Sequence, residues 1–230
     1  MLMGSLYIVA TPIGNLKDIT LRAIDVLKSV DYVLCEDTRI TGKLLKHFSI
    51  DKKLESFNDF NEEAKIHQVI KDLISGKNIA LVSDAGTPLI SDPGYKLVRS
   101  AILDLIKIES IPGSSSIIAA ISISGLPPDK FLFIGYPSKK PGKRVKLFRQ
   151  LFTIFEVSDD KTFKPTIILY ESPYRILKTL EDIKQVFGEI DIVICRELTK
   201  LHEEVRREKV SRAIEHFSQI KPKGEFVILF

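Results

Sequence analysis

Cysteine is nearly absent. Cys35 and Cys195 each end a β-like apolar run, so neither a disulfide framework nor a cysteine-held metal cluster is expected, and both should be buried thiols. Four histidines, His47, His67, His202 and His216, show neither H-x-x-x-H spacing nor nearby cysteines, which excludes a zinc site of the usual kind. No apolar run approaches about 18 residues. The chain enters its first strand without a charged region and a long apolar segment, so neither a signal peptide nor a membrane span is expected, and the default location is the cytoplasm. No G-x-G-x-x-G follows the first strand, and neither G-x-x-x-x-G-K-[ST] nor G-x-S-x-G occurs. These absences remove the usual nicotinamide, P-loop and α/β-hydrolase readings.

Acidic residues are missing from one long stretch. Between Asp129 and Glu156 there is none, while Lys130, Lys139, Lys140, Lys143, Arg144, Lys146 and Arg149 all fall there. The net charge of +4, from 34 basic and 30 acidic residues, does not by itself imply nucleic acid, so the local asymmetry carries more weight than the sum. The length of 230 residues and 44% hydrophobic content suit one large or two modest globular domains.

What the chain does have is a long polar loop in its first half. Residues 78–82 read as a buried strand, and Ser83-Asp84-Ala85-Gly86-Thr87-Pro88-Leu89-Ile90-Ser91-Asp92-Pro93-Gly94 then follows before a helical pattern resumes at Tyr95. Two glycines and two prolines dictate a non-repeating path, and short polar side chains decorate it. The plainer reading is a capped strand-to-helix connection. Around it, strands are expected at 6–10, 32–35, 54–57 and 106–111. Helices are expected from Thr20 as cap to about Ser29, with Leu21, Ile24 and Leu27 inward, then after Arg39 in a run that includes Leu44, Leu45 and Phe48, over 62–75 with Asn61 as cap, 94–103, and after Pro112-Gly113-Ser114-Ser115-Ser116 to Ser124. Five successive βα pairs predict a mainly parallel five-stranded sheet. Gly125-Leu126-Pro127-Pro128-Asp129 is the expected division, giving an N-terminal α/β domain over 1–124 and a C-terminal one over 125–230.

Beyond it, strands are expected at 131–136, 166–170, 190–195 and 226–230. The basic stretch reads as loop and helix, 158–161 as a short polar loop, 173–187 as a helix capped by Ser172, and 211–220 as another. Loops at strand carboxyl ends, 11–16, 36–39, 83–94, 112–116, 170–175 and 196–200, are where α/β folds bind ligands. The Gly/Ser turn at 112–116 can present N–H groups to a ligand or simply cap its helix.

Several of these loops together carry a resemblance. Tyr7-Ile8-Val9-Ala10-Thr11-Pro12-Ile13-Gly14-Asn15-Leu16-Lys17-Asp18-Ile19-Thr20, Glu36-Asp37-Thr38-Arg39, the stretch 81–95, Tyr170-Glu171-Ser172-Pro173, Arg196-Glu197-Leu198-Thr199-Lys200 and Lys223-Gly224-Glu225 occur in the order found in the ribosomal small-subunit RNA methyltransferase I family of the tetrapyrrole methylase superfamily. The resemblance implies two α/β domains with S-adenosylmethionine in a cleft between them, a homodimer, and 2′-O-methylation of a cytidine in 16S rRNA. By the same resemblance the cofactor is placed against Pro12, Val82, Ser83, Asp84, Thr87, Ser115, Ser116, Glu171, Leu198 and Gly224. Asp84 suits the ligand's hydroxyl or amino groups, and Gly86 permits close backbone approach. Ser114 stands where the family usually has proline, Tyr174 where it often has histidine, and the stretch at Gly135-Tyr136-Pro137 is one residue shorter.

Methyl transfer to a hydroxyl requires in-line approach and removal of a proton, and positioning can supply about 7–11 kcal/mol in ideal cases. Asp37, Glu171 and Glu197 are the candidates for accepting the proton or orienting the ribose, with Arg39 and Arg196 on phosphates. The alternative for Glu36, Asp37 and Arg39 is a structural ion-pair cluster. Lys139, Lys140, Lys143 and Arg144 are the expected RNA-backbone contacts, or else a solvated helix face with Leu147 and Leu151 inward. Two other functions fit less of the sequence: methylation of a tetrapyrrole or other small acceptor, and non-catalytic RNA binding.

Overall fold

The computed structural model describes residues 3–157 and 164–230. The polar loop expected at 158–161 lies outside them. Two units emerge, Met1–Ser115 and Ser116–Phe230.

In the first unit, β1 (Ser5–Val9), α1 (Leu21–Ser29), β2 (Tyr32–Cys35), α2 (Thr38–His47), β3 (Lys53–Ser56), α3 (Glu62–Ile74), β4 (Ile79–Val82), α4 (Tyr95–Leu103) and β5 (Lys107–Ile111) alternate strictly. The sheet order is β3-β2-β4-β1-β5, with every neighbouring pair parallel, as the βα repetition requires. The strand period of two sorts the core. Leu34, Ile79 and Leu81 point to the face packed by Val69, Leu73 and Leu97 of α3 and α4. Their neighbours Val33, Cys35, Ala80 and Val82 point to the face packed by Ala23, Leu27 and Leu45 of α1 and α2. Both faces are covered, which is why these strands read as unbroken apolar runs.

Local details refine the expectations. Thr20 caps α1, its hydroxyl accepting the Ala23 N–H at 3.1 Å. Leu21 is 82% exposed and belongs to the outer face, whereas Ala23 and Leu27 fill the inner one. Asn61 does not cap α3 through its side chain, which instead accepts the Asn58 N–H at 2.9 Å.

The second unit contains α5 (Ser116–Ser124), β6 (Phe131–Phe133), α6 (Pro141–Val157), β7 (Thr166–Glu171), α7 (Ile176–Phe187), β8 (Asp191–Arg196), β9 (Glu204–Lys209), α8 (Val210–Gln219) and β10 (Phe226–Leu229). Its sheet runs β6-β7-β10-β8-β9, parallel only between β6 and β7. Phe148, Ile167, Leu169, Leu180, Ile194, Phe217 and Ile228 form its core. Helix α5, grouped with the first half in the sequence reading, packs against β10. Arg207 of β9 donates to the carbonyls of Ser124 and Ile123 and so closes the carboxyl end of α5, where a cation also opposes the helix dipole. Helix α7 starts three residues later than expected, and the carbonyl of Ser172, not its hydroxyl, takes the N–H groups of Arg175 and Ile176. Among the described residues no helix is long and apolar enough to cross a membrane.

Candidate active site

Parallel pairing brings the carboxyl ends of β1, β2, β4 and β5 to one edge, and hydrogen bonds lace their loops together. Thr11 and Gly86 exchange both backbone bonds, at 2.8 and 3.1 Å, and the buried Thr11 hydroxyl donates to the Ser83 carbonyl at 3.2 Å. Thr87 donates to the Ser114 carbonyl at 3.1 Å, and the Ser114 hydroxyl donates to the Asp18 carbonyl at 3.3 Å. The serine in the usual proline position therefore ties the β5 loop to the β1 loop. Gly113 allows a close approach, because a Cβ there would lie 3.0 Å from the Ala10 Cβ.

The loop after β4 is held under strain. Leu89 and Ser91 both adopt φ of 72°, uncommon for residues with a side chain, and such conformations persist only where the surroundings over-determine them. Buried Glu62 at the start of α3 closes the far end by accepting the Gly94 N–H at 3.3 Å. Gly86, with φ of 82°, sets the bend, but both its backbone polar groups are taken by Thr11 and a Cβ would press on Ile13. It shapes the loop.

Carboxylates gather here. Asp84 accepts the Asp37 N–H at 3.0 Å. Burial, and then the nearby Asp37, push its carboxyl up despite that hydrogen bond. Glu36 is raised by burial and by Asp84, Asp59 and Asp37. Asp92 is pushed from 3.8 to about 7, first by burial and then by Glu36, with the Ser83 hydroxyl opposing. Folding thus raises the proton affinity of Asp92, so the folded state holds an extra proton between the ordinary carboxyl range and about pH 7, and stability falls as pH rises through that window. Asp92→Asn should abolish this part of the decline: its melting temperature, relative to the parent, should rise between about pH 5 and pH 8. An equal pH dependence in both proteins would refute the assignment.

Asp37 behaves oppositely. The Arg39 side chain and N–H hold its carboxyl down at about 2, and its Oδ1 caps α2 by accepting that N–H at 2.8 Å. In the structure Asp37 is thus a helix cap and an ion-pair partner, with Arg39 its exposed cation.

In the second unit, Glu171 at the end of β7 is fully buried. It accepts the Ser172 N–H at 2.7 Å and the Thr179 hydroxyl at 2.6 Å, and pairs with Arg175 at 2.6 Å. Both oxygens are engaged, so Glu171 holds the β7–α7 turn. The loop after β8 is strained at Glu197 and Thr199, with φ of 51° and 65°. Glu197 accepts the Lys200 ammonium and the Glu225 N–H, both at 3.0 Å. Burial raises its carboxyl, but Lys200 and Glu225 outweigh this and leave it low. Gly224 lies against Glu197, where a Cβ would stand 2.5 Å from the glutamate Cγ. Arg196 donates to the Lys223 carbonyl at 2.8 Å and pairs with Glu204 at 2.9 Å, so it is a tie between loops before it is a phosphate ligand. Leu198 is buried.

Of the basic residues, Lys139, Lys140 and Lys143 are exposed. Arg144 is not: its Nε donates to Asp182 at 2.5 Å and its Nη1 to the Ser138 carbonyl at 3.4 Å, with the side chain 3% exposed. The guanidinium is enclosed between α6 and α7. Pro12, Val82 and Ser83 are buried, while Ser115 and Ser116 are half-buried, the Ser116 hydroxyl lying 2.7 Å from the Tyr170 hydroxyl. The sequence reading passed over Thr11 and Glu62, which lock the two ends of the central loop. A Thr-Pro pair directly after a strand and an acid in a first helical turn were the available signals. No group of three or more acidic, histidine or cysteine residues suited to a metal ion occurs among the described residues.

A family profile described as Tetrapyrrole (Corrin/Porphyrin) Methylases matches residues 5–214. Among solved structures, diphthine synthase superposes with a TM-score of 0.71 at 15% identity, covering 98% of this chain and 89% of that one. Uroporphyrin-III-C-methyltransferase from Thermus thermophilus gives 0.65 at 19% identity, covering 98% and 94%. The fold is that of tetrapyrrole-methylase-type enzymes. In sequence, the ribosomal RNA small subunit methyltransferase I of Thermotoga maritima is 44% identical over 227 residues, 99% of this chain and 98% of that protein. Its counterpart in Halalkalibacterium halodurans is 46% identical over 98% of this chain and 75% of its own length. The chain belongs to the ribosomal RNA small subunit methyltransferase I family, within the tetrapyrrole methylases.

Proposed function

We propose that this chain methylates the ribose 2′-oxygen of a cytidine in small-subunit (16S) ribosomal RNA, with S-adenosylmethionine as donor, and that it works in the cytoplasm as a homodimer. The observation that carries the reading is the laced set of loops at the strand ends of the first unit, which sets Asp84 among carboxylates in a chain related to small-subunit rRNA methyltransferases along nearly its whole length. S-Adenosylmethionine, when bound, supplies a methyl group activated by a sulfonium cation. The residues present suit such a ligand: Glu36, Asp84 and Asp92 form an acidic surrounding for a cation, and Asp84 offers acceptors to hydroxyl or amino groups. In the first unit Pro12, Val82, Ser83, Asp84, Thr87 and Ser115 are the proposed holders, and in the second Ser116, Glu171, Leu198 and Gly224.

Asp37, Glu171 and Glu197 all have their carboxylates engaged by cations or N–H donors, and those partners hold Asp37 and Glu197 below the usual carboxylate range. The arrangement therefore supports catalysis by orientation, with the proton leaving to solvent, over catalysis by a strong protein base. Exposed Arg39 is the better placed of the two arginines to meet a phosphate. The lysine-rich surface favours RNA over a small acceptor.

Radiolabelled S-adenosylmethionine incubated with small ribosomal subunits lacking the modification should place label on one cytidine ribose. Asp84→Ala should abolish labelling and cofactor binding together while the fold persists. Label on a small tetrapyrrole acceptor, or cofactor binding with no transfer to subunits or naked rRNA, would refute the RNA assignment.

A further inference from the structure

The loop joining β6 to α6 is a surface loop whose backbone is secured from beneath. Arg175, paired with Glu171, donates to the Pro137 carbonyl at 2.9 Å, and Arg144, paired with Asp182, donates to the Ser138 carbonyl at 3.4 Å. Two arginine–carboxylate pairs thus hold consecutive carbonyls. Just before them Tyr136 is 53% exposed, its ring 5.4 Å from that of Tyr170 and tilted by 55°. Tyr170 is braced in turn by Phe133, edge-on at 4.8 Å, and by Ser116. Just after them come Lys139, Lys140 and Lys143, all exposed, with no acidic residue in that stretch of chain. β6 and β7 are parallel neighbours, so the turn carrying Tyr174, 88% exposed, leaves the same end of the sheet.

A stiffly held, half-exposed aromatic ring flanked by cations is the combination that binds single-stranded nucleic acid: lysines follow the backbone and a base stacks on the ring. We propose that Tyr136 is a stacking platform for an unpaired base of the RNA substrate, with Lys139, Lys140 and Lys143 on the adjoining phosphates. The proposal rests on the RNA reading above and deepens it by assigning base contact and backbone contact to different residues.

The two kinds of contact separate in a salt titration, since only phosphate neutralisation releases counterions. The probe is a short single-stranded RNA carrying one 2-aminopurine, whose fluorescence is quenched on stacking, and binding is followed without cofactor. Tyr136→Ala should weaken binding about tenfold, remove the bound-state quenching and leave the slope of log affinity against log salt unchanged. Tyr136→Phe should restore affinity. Lys139→Ala with Lys143→Ala should instead reduce the slope by about 1.4, at about 0.7 per phosphate. Affinity of Tyr136→Ala within twofold of the parent, or a slope that falls with it, would overturn the stacking role while leaving the RNA reading intact. Failure of the parent to bind the strand would count against both.

Discussion

Arg144→Ala is expected to destabilise the protein by about 3–5 kcal/mol, the range for removing one partner of a buried ion pair. The guanidinium is nearly inaccessible, and its loss leaves the Asp182 carboxylate, 16% exposed, without its cation and the Ser138 carbonyl without its donor. The cost lies in the uncompensated charge more than in the lost attraction, because each charge was already taken out of water. Lys143→Ala, one residue away and exposed, should leave the melting temperature unchanged and act on RNA affinity alone. Thermal unfolding decides between them: a fall of more than about 10 °C for Arg144→Ala is expected for a unit of this size. Replacing Arg144 by methionine together with Asp182 by leucine should recover much of the loss, since an apolar pair of similar volume carries no buried charge. Melting of Arg144→Ala at the parent temperature would show the pair to be superficial.

This same arginine marks where reading the chain alone failed. In the sequence Arg144 is one of seven cations in an acid-free stretch, and the partner that withdraws it from the surface lies 38 residues later on another helix. Apolar pattern, by contrast, is local information. β2 and β4 were legible because strands covered on both faces are apolar throughout, and α1 and α4 because each follows a loop ending in a capping threonine or a glycine. β9 was missed for the opposite reason. Its sequence, Glu204-Val205-Arg206-Arg207-Glu208-Lys209, is nearly all charged, and only pairing with β8 and ion pairs between Arg206 and its neighbours Glu204 and Glu208 make it a strand. An edge strand needs no apolar run, and charges there discourage pairing with other chains.

The candidate site was legible as loops and not as roles. Glycine, proline, serine and aspartate announce a non-repeating path at 83–94. They do not say which carboxylate stays available. The structure adds their partners: Arg39 two residues from Asp37, and Arg175 and Thr179 four and eight residues from Glu171. Such spacings are visible in the sequence, but whether a helix begins there and turns the partner back onto the acid is decided by tertiary packing.

The path of the central loop itself can be tested at its last residue. Gly94→Ala should cost about 3 kcal/mol, combining roughly 1–3 kcal/mol of backbone strain with a similar overpacking term. At φ of 125° a side chain is rarely accommodated, and a Cβ would stand 2.6 Å from Cδ2 of the buried Leu81, with the Leu89 side chain 3.5 Å away. Leu81 is itself buried in the core of the first unit, packed with residues of α3 and α4. Relief must come from the loop, which would draw the Gly94 N–H from Glu62 and release the strained positions at Leu89 and Ser91. Cofactor affinity should therefore fall further than stability alone explains, measured by calorimetric titration well below the melting temperature. Gly142→Ala is the control: its φ is ordinary and nothing lies within 4 Å of the new methyl, so stability should be unchanged or rise by about 0.4–1 kcal/mol. Equal behaviour of the two substitutions would mean that the loop tolerates another path. Loss confined to Gly94→Ala would tie the binding surface to a single conformation of residues 83–94, held at one end by Thr11 and at the other by Glu62.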